Sequence, residues 1–320
     1  MIVRWGLREL PAVLREVGVE RPFLIASDRW SKLDLPAVDR WREVPSERID
    51  EIAVAARDAD GLLAVGGGST IDLAKAVSVA AELPVVSVPT TYAGAEWAPS
   101  FGIRDADRRM RGGGSGAKLA GIVYDPELTL GLPLEESVGT AMNALAHCAE
   151  ALYVKGRSPQ ADVLALEGAR TINETLPRVA AFGQDRQART KLLAGADVAG
   201  HALGLAGLGL GHAMAQAVGG RYGLPHGALN AICLPAALRF NKPVAGEEIG
   251  RFAVALATGD PVARVQELAG LGGFRRLRDL GVPEQDLPEL AEAAAQRGGA
   301  KANPRPATPA EITELLRSVW

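Results

Sequence analysis

The stretch GLLAVGGGSTIDLAKA, residues 61 to 76, decides the fold. It opens on GLLAV, a short apolar run of strand length, passes through three glycines, and continues from about Thr70 to Ala81 with apolar residues at helical spacing. A strand that turns into a helix through glycines is the repeating unit of a parallel sheet. Working outward, the rhythm recurs: a helical ELPAVLREVG at 9–18, the apolar run FLIAS at 23–27, a strand at 41–44, a helical stretch at 48–58 and a strand VVSV at 85–88. Short strands alternating with helices through the first 125 residues predict a doubly wound α/β domain, with ligands at the strand C-termini. The low-complexity RGGGSG, 111 to 116, reads as an exposed flexible loop.

From about residue 134 the apolar spacing is helical, Ala and Leu dominate, and no strand-like run appears. The second half is predicted to be all-helical. Pro126 and Pro133 interrupt the junction YDPELTLGLP at 124–133, so the expected domains are 1–128, nucleotide-binding, and 129–320, all-α.

Composition narrows the function. The chain has 320 residues, 48% of them hydrophobic, and a net charge of −3, with no basic excess for nucleic acid or an anionic membrane. Cys148 and Cys233 have no disulfide or metal-ligand spacing and read as buried thiols of a reducing compartment. No apolar run reaches the length of a membrane span, and Arg4, Arg8, Glu9 and Arg15 break any signal-peptide core. These features predict a cytoplasmic protein acting on a small molecule; a homodimer is expected as the common state of such enzymes.

Two turns are candidate nucleotide contacts. Gly66, Gly67, Gly68 and Ser69 would let a phosphate approach the backbone at the positive end of a new helix. The spacing is neither a Walker A loop nor GxGxxG, and an ordinary turn capped by Ser69 or Thr70 is the alternative. Thr90 and Thr91 leave the next strand beside it, inside PTTYAGAE at 89–96.

The four histidines, His147, His201, His212 and His226, fall in one 80-residue window. Asn143 and His147 are four apart on one helix face, His212 and Gln216 repeat that spacing, and His226 follows in LPHG. Three imidazoles and an asparagine could coordinate a divalent metal, or could hydrogen-bond an anionic substrate and supply a proton. The set contains no carboxylate to balance a cation. His201 stands apart and reads as structural.

The motifs GGGSTIDLAKA (66–76), PTTYAGAEWAPSFGI (89–103), YDPELTLGLP (124–133), MNALAHCAEALY (142–153), GLPHGALNAICLPAALRFN (223–241) and NPRPATPAEITELL (303–316) resemble the iron-containing alcohol dehydrogenase superfamily, and within it the maleylacetate reductases. The resemblance implies a dehydroquinate synthase-like fold: a doubly wound nucleotide-binding domain, an all-helical domain, and an active site in the cleft between them. It implies that Gly66, Gly67, Gly68 and Ser69 hold the pyrophosphate of a nicotinamide cofactor, with Asp72, Thr90 and Thr91 around the rest of the nucleotide. Asp28 would face the adenosine ribose and favour NADH, with NADPH as the alternative. Arg109 falls where relatives carry a lysine near the cofactor.

In the metal-dependent branch the matching ligand positions are Asn143, His147, His212 and His226. Asparagine replaces the usual aspartate, as in maleylacetate reductases, so no metal is expected. Both branches place another histidine at the position of Gln216, and glutamine cannot transfer a proton near neutral pH. Gly211 also departs from the histidine common in maleylacetate reductases. Tyr92, His147 or a neighbour would then supply the proton, and Arg221 and Arg305 are candidates for binding substrate carboxylates.

The leading expectation is a reductase that moves hydride from NADH to maleylacetate, giving 3-oxoadipate in aromatic degradation. The substrate pocket would be lined by Tyr92, Asn143, His147, His212, Gln216 and His226. The alternatives are an Fe- or Zn-dependent alcohol or polyol dehydrogenase, an eliminating enzyme like the dehydroquinate synthase relatives, and a nucleotide-binding protein whose catalysis has decayed.

Overall fold

A computed structural model describes residues 1–320. The chain forms two compact units: Met1–Thr91 with Ala95–Gly131, and Tyr92–Gly94 with Leu132–Trp320.

The first unit holds a six-stranded sheet built from β1 (Ile2–Trp5), β2 (Pro22–Ile25), β3 (Asp39–Trp41), β4 (Gly61–Gly66), β5 (Pro84–Pro89) and β8 (Lys118–Tyr124). The spatial order is β1-β8-β5-β4-β2-β3, and every pairing is parallel. Helices α1 (Leu10–Glu16), α2 (Ile49–Ala55) and α3 (Gly68–Ala81) connect strands. Alternation along β4 sorts two cores. Leu63 and Val65 pack with Leu10, Val13 and Leu14 of α1, while Leu62 and Ala64 pack with Ile52 of α2 and Ile71 and Leu73 of α3. A strand buried on both faces reads as a continuous apolar run, which is why GLLAV was visible in the sequence.

Several expectations need correction. The strand expected at 41–44 lies at Asp39–Trp41 and stops ahead of Pro45, whose nitrogen cannot donate to a ladder. The edge strand β1 and the long β8 were not anticipated. β1 is half-exposed, and β8 carries Gly121 in mid-strand, where a Cβ would sit 2.7 Å from the side chain of Val13. Residues 111–114 of RGGGSG are not a loop. They belong to β7 (Met110–Gly114), antiparallel to β6 (Phe101–Arg104). The glycines permit that pairing, since a Cβ at Gly114 would sit 2.9 Å from the Phe101 ring.

The second unit is helical: α4 (Leu134–Ala151), α5 (Pro159–Ala181), α6 (Arg186–Ala206), α7 (Leu210–Tyr222), α8 (His226–Asn241), α9 (Gly246–Ala255), α10 (Pro261–Gly270), α11 (Leu287–Ala295), α12 (Gly298–Ala302) and α13 (Pro309–Arg317). Helices α7, α8, α11 and α13 share one core that includes Met214, Ile232, Leu290 and Ile312. A reciprocal amide pair between buried Asn241 and Asn303, at 2.9 and 2.8 Å, ties the NPRP segment to α8. No single helix is long and apolar enough to cross a membrane.

Candidate active site

The glycine turn is a backbone device. β4 ends at Gly66, and α3 begins at Gly68 with no side chain capping its first turn. Thr70 N and Ile71 N both return to Gly67 O, at 3.0 and 3.2 Å, which leaves Gly68 and Ser69 at the leading end of a fourteen-residue helix. Such an end presents amides and a positive dipole to an anion. Thr90 N donates to Gly66 O at 3.0 Å, so the Thr90–Thr91 turn lies against it. Neither Gly66 nor Gly67 has room for a side chain: a Cβ would come 2.2 Å from Thr70 Oγ1 or 2.9 Å from Thr91 Cγ2. The cradle fits a dinucleotide pyrophosphate.

The charged residues expected around it already have partners within the protein. Asp72 turns one carboxylate oxygen to Lys75 Nζ at 2.7 Å and accepts from Gly102 N on β6 with the other, at 3.2 Å. Lys75 is buried and donates to Ala95 O, Ala98 O and Ser100 O, which fastens the 95–100 segment to α3. Asp28 is exposed and pairs with Arg42 at 2.6 Å, so the carboxylate meant for the ribose already has a cation beside it. Arg109 is exposed in the β6–β7 turn, where its amide donates to Asp105. Arg104, which sequence reasoning overlooked, shares a shallow depression with Ser69, Ser46 and Gly102. Its guanidinium is shifted down by burial, and the Asp72 carboxylate opposes that shift.

The helical unit brings the three predicted imidazoles together. Centroids of His147 and His212 lie 4.8 Å apart in nearly parallel planes, and His226 lies 5.7 Å from His212. α4 presents Asn143 and His147, α7 presents His212 and half-buried Gln216, and α8 starts on His226.

Hydrogen bonding orients the amides. Asn143 Nδ2 donates to Ala93 O at 2.8 Å, so Oδ1 faces the other way, accepting from Asn230 Nδ2 at 2.6 Å and lying 3.3 Å from His212 Nε2. Asn230, one turn along α8 from His226, also directs Nδ2 at His226 Nε2, 3.0 Å away. Asn143 Nδ2 lies 3.4 Å from His147 Nε2. Burial holds His147 well below the ordinary imidazole range, and the neighbouring rings of His212 and His226 add to that, so His147 is neutral.

Sequence reasoning missed a carboxylate here. Glu150 is fully buried, three residues after His147, and its Oε2 lies 2.7 Å from His212 Nδ1. It also accepts from Gly209 N at 2.7 Å and His212 N at 3.2 Å, capping α7 from outside. The expectation of a cluster without a carboxylate is therefore overturned. One sequence signal existed: Glu150 is the only Asp, Glu, Lys or Arg from 137 to 154.

Tyr92 is wholly buried, and its hydroxyl accepts from Arg189 Nη1 at 3.1 Å. Arg189, also unforeseen, is itself buried and donates further to Ser137 Oγ and to the carbonyls of Leu132 and Gly183. It clasps the segment that delivers Ala93 O to Asn143. Arg221 pairs with Glu289 and Asp286, and Arg305 pairs with Glu311 over the Phe240 ring, so both candidate arginines already face carboxylates or an aromatic ring. His201 is half-buried on α6. Both cysteines are free and buried, and burial pushes Cys233 up to about 12, with Glu150 adding to it.

The donor set does not fit a metal. Amide N–H groups of Asn143 and Asn230 point at the imidazole nitrogens a cation would need, and Glu150 gives both oxygens to N–H donors. No three His, Cys, Asp or Glu side chains are arranged to hold one.

Residues 4–123 match the profile described as iron-containing alcohol dehydrogenase, and residues 137–320 match the C-terminal domain of the Fe-containing alcohol dehydrogenase family. The chain is 38% identical to a maleylacetate reductase of Sphingobium indicum, over 85% of this chain and 78% of that one. It is 33% identical to that of Pseudomonas knackmussii, over 98% and 93%. The crystal structure of maleylacetate reductase from Agrobacterium tumefaciens is similar with a TM-score of 0.88 and 30% identity, covering 100% of this chain and 95% of that one. The chain belongs to the iron-containing alcohol dehydrogenase family of NAD(P)-dependent oxidoreductases.

Proposed function

We propose that the protein is a metal-free reductase of the maleylacetate reductase kind, taking a small dicarboxylate such as maleylacetate to 3-oxoadipate. The observation that carries this reading is the pair of neutral amides, Asn143 and Asn230, set among the three imidazoles where a metal enzyme needs a cation's ligands. Gly66, Gly67, Gly68 and Ser69 would hold the cofactor's pyrophosphate, with Thr90 and Thr91 beside them and Asp28 at the ribose, favouring NADH. When bound, the cofactor supplies the hydride.

The side chains then have separable tasks. Asn143, Asn230 and His226 bind and orient a polar substrate. His147, neutral, offers one donor and one acceptor nitrogen. His212 has acceptors at both ring nitrogens, Glu150 at Nδ1 and Asn143 at Nε2, and a ring with a proton on each nitrogen satisfies both. Its longer contact, at Nε2, is the one a substrate displaces, which makes Nε2 the source of the proton that completes reduction of the double bond. Gln216 contributes a neutral hydrogen-bonding group, and Tyr92, engaged by Arg189, shapes the segment that positions Asn143. A cytoplasmic homodimer without nucleic-acid or membrane partners belongs to the same reading, in keeping with the net charge of −3.

The test is NADH oxidation with maleylacetate by the wild type and Gln216→His, beside a panel of alcohols and polyols. Turnover of maleylacetate is expected, with a rise in Gln216→His if a second imidazole assists. Turnover of alcohols alone favours the metal-dependent dehydrogenase, and NADH binding without turnover of anything favours a protein whose catalysis has decayed.

A further inference from the structure

We infer that Glu150 is the positioning residue of the site: it keeps a proton on His212 Nδ1 and fixes the ring so that Nε2 faces Asn143 and the substrate. The inference rests on the reductase reading for its kinetic consequence, but not for its geometry. Three N–H groups converge on this one buried carboxylate: Gly209 N and His212 Nδ1 on Oε2, at 2.7 Å each, and His212 N on Oε1 at 3.2 Å. A carboxylate has only acceptors to offer, so the Nδ1 facing it must be the protonated nitrogen. The amides of Gly209 and His212 hold the carboxylate in turn, so the ring and the first turn of α7 are set by the same group.

The chain makes room for this contact at two residues. A Cβ on Gly209 would lie 2.9 Å from Glu150 Cδ, and one on Gly211 would lie 2.9 Å from Glu150 Oε1. Gly209 and Gly211 of GLGLGH thus acquire a reason: they let α4 bring a carboxylate against the start of α7. The departure at Gly211 and the unexpected Glu150 are one feature. Glu150 touches no reacting atom and works only through His212.

The experiment uses the full-length protein with 15N-labelled histidine, whose four imidazoles can be assigned by single His→Gln variants. In the wild type, His212 should show a protonated Nδ1 in slow exchange, as a buried hydrogen bond to a carboxylate requires. Glu150→Gln should lose that signal, leaving the ring protonated at Nε2 alone, and should lower kcat for maleylacetate about tenfold to a hundredfold with KM little changed. Gly211→Ala retains the carboxylate but crowds it, and should shift the same proton signal with a smaller kcat loss. Glu150→Asp, one methylene short, should fall between Glu150→Gln and wild type. A folded Glu150→Gln that retains protonated Nδ1 and wild-type kcat would overturn the inference; if Glu150→Gln does not fold, an unchanged His212 signal and kcat in Gly211→Ala would do so. If no variant and no wild type turns over maleylacetate, the reductase reading fails, and the His212 Nδ1 proton signal still decides the role of Glu150.

Discussion

The two polar sites of this molecule are built by opposite means. The glycine turn in the first unit is local and made of main chain: Gly66 to Ser69 and the two threonines after β5 form it through amides and the absence of side chains. The histidine cluster in the second unit is made of side chains drawn from α4, α7 and α8, anchored on the Ala93 carbonyl, and is held by hydrogen bonds between residues 50 to 87 positions apart. A backbone site tolerates almost any change that adds no atoms, whereas a side-chain network fails when one member loses its partner.

The sharpest way to break that contrast is to add a single methyl group to the backbone site. Gly66→Ala places a Cβ 2.2 Å from Thr70 Oγ1, and overpacking of this kind costs about 1–3 kcal/mol. NADH affinity, read by fluorescence titration, should fall about tenfold or more, while the four imidazole signals stay unchanged.

The next effect belongs to the histidine cluster. His147 is held neutral in the folded protein and regains its ordinary pKa of 6.5 on unfolding, so the unfolded chain binds the extra proton. Stability should therefore be full above that value and decline as pH falls below it, by up to about 1.4 kcal/mol per pH unit. Chemical denaturation at pH 7.5 and 5.5 should show this slope in the wild type, and a shallower one in His147→Gln. Equal slopes would remove His147 as its source.

The smallest effect is expected at the exposed rim of the backbone site. Asp28→Ser removes a solvent-exposed carboxylate paired with Arg42, and exposed ion pairs are worth about 0.2–1 kcal/mol. The NADH to NADPH ratio of kcat/KM should move toward NADPH by no more than about fivefold. A larger shift would mean that Arg42, once released, binds a 2′-phosphate directly.

The same contrast explains what the sequence disclosed. GLLAV and the glycines after it could be read because strand, turn and helix start lie in consecutive residues, and the parallel sheet followed from their repetition. The edge strand β1 and the glycine-rich β7 carried too little apolar periodicity to be seen. His147, His212 and His226 were found because histidine is scarce here, and helical spacing put Asn143 with them. Glu150 and Arg189 were missed because their partners are distant in sequence: a glutamate becomes a histidine's partner only when α4 meets α7. Asn230 stands four residues after His226, the spacing that found Asn143, and was legible on the same ground. Asp28 and Asp72 were recognised by position, yet the cations that occupy them, Arg42 and Lys75, could be named only from coordinates.

Metal analysis of protein purified without chelator, paired with NADH-dependent reduction of maleylacetate before and after chelation, tests the metal-free reading of the cluster most directly. A metal-free reductase should contain substoichiometric iron and zinc and keep its full rate after chelation. Stoichiometric metal, with activity abolished by chelator and restored by Fe²⁺ or Zn²⁺, would contradict it.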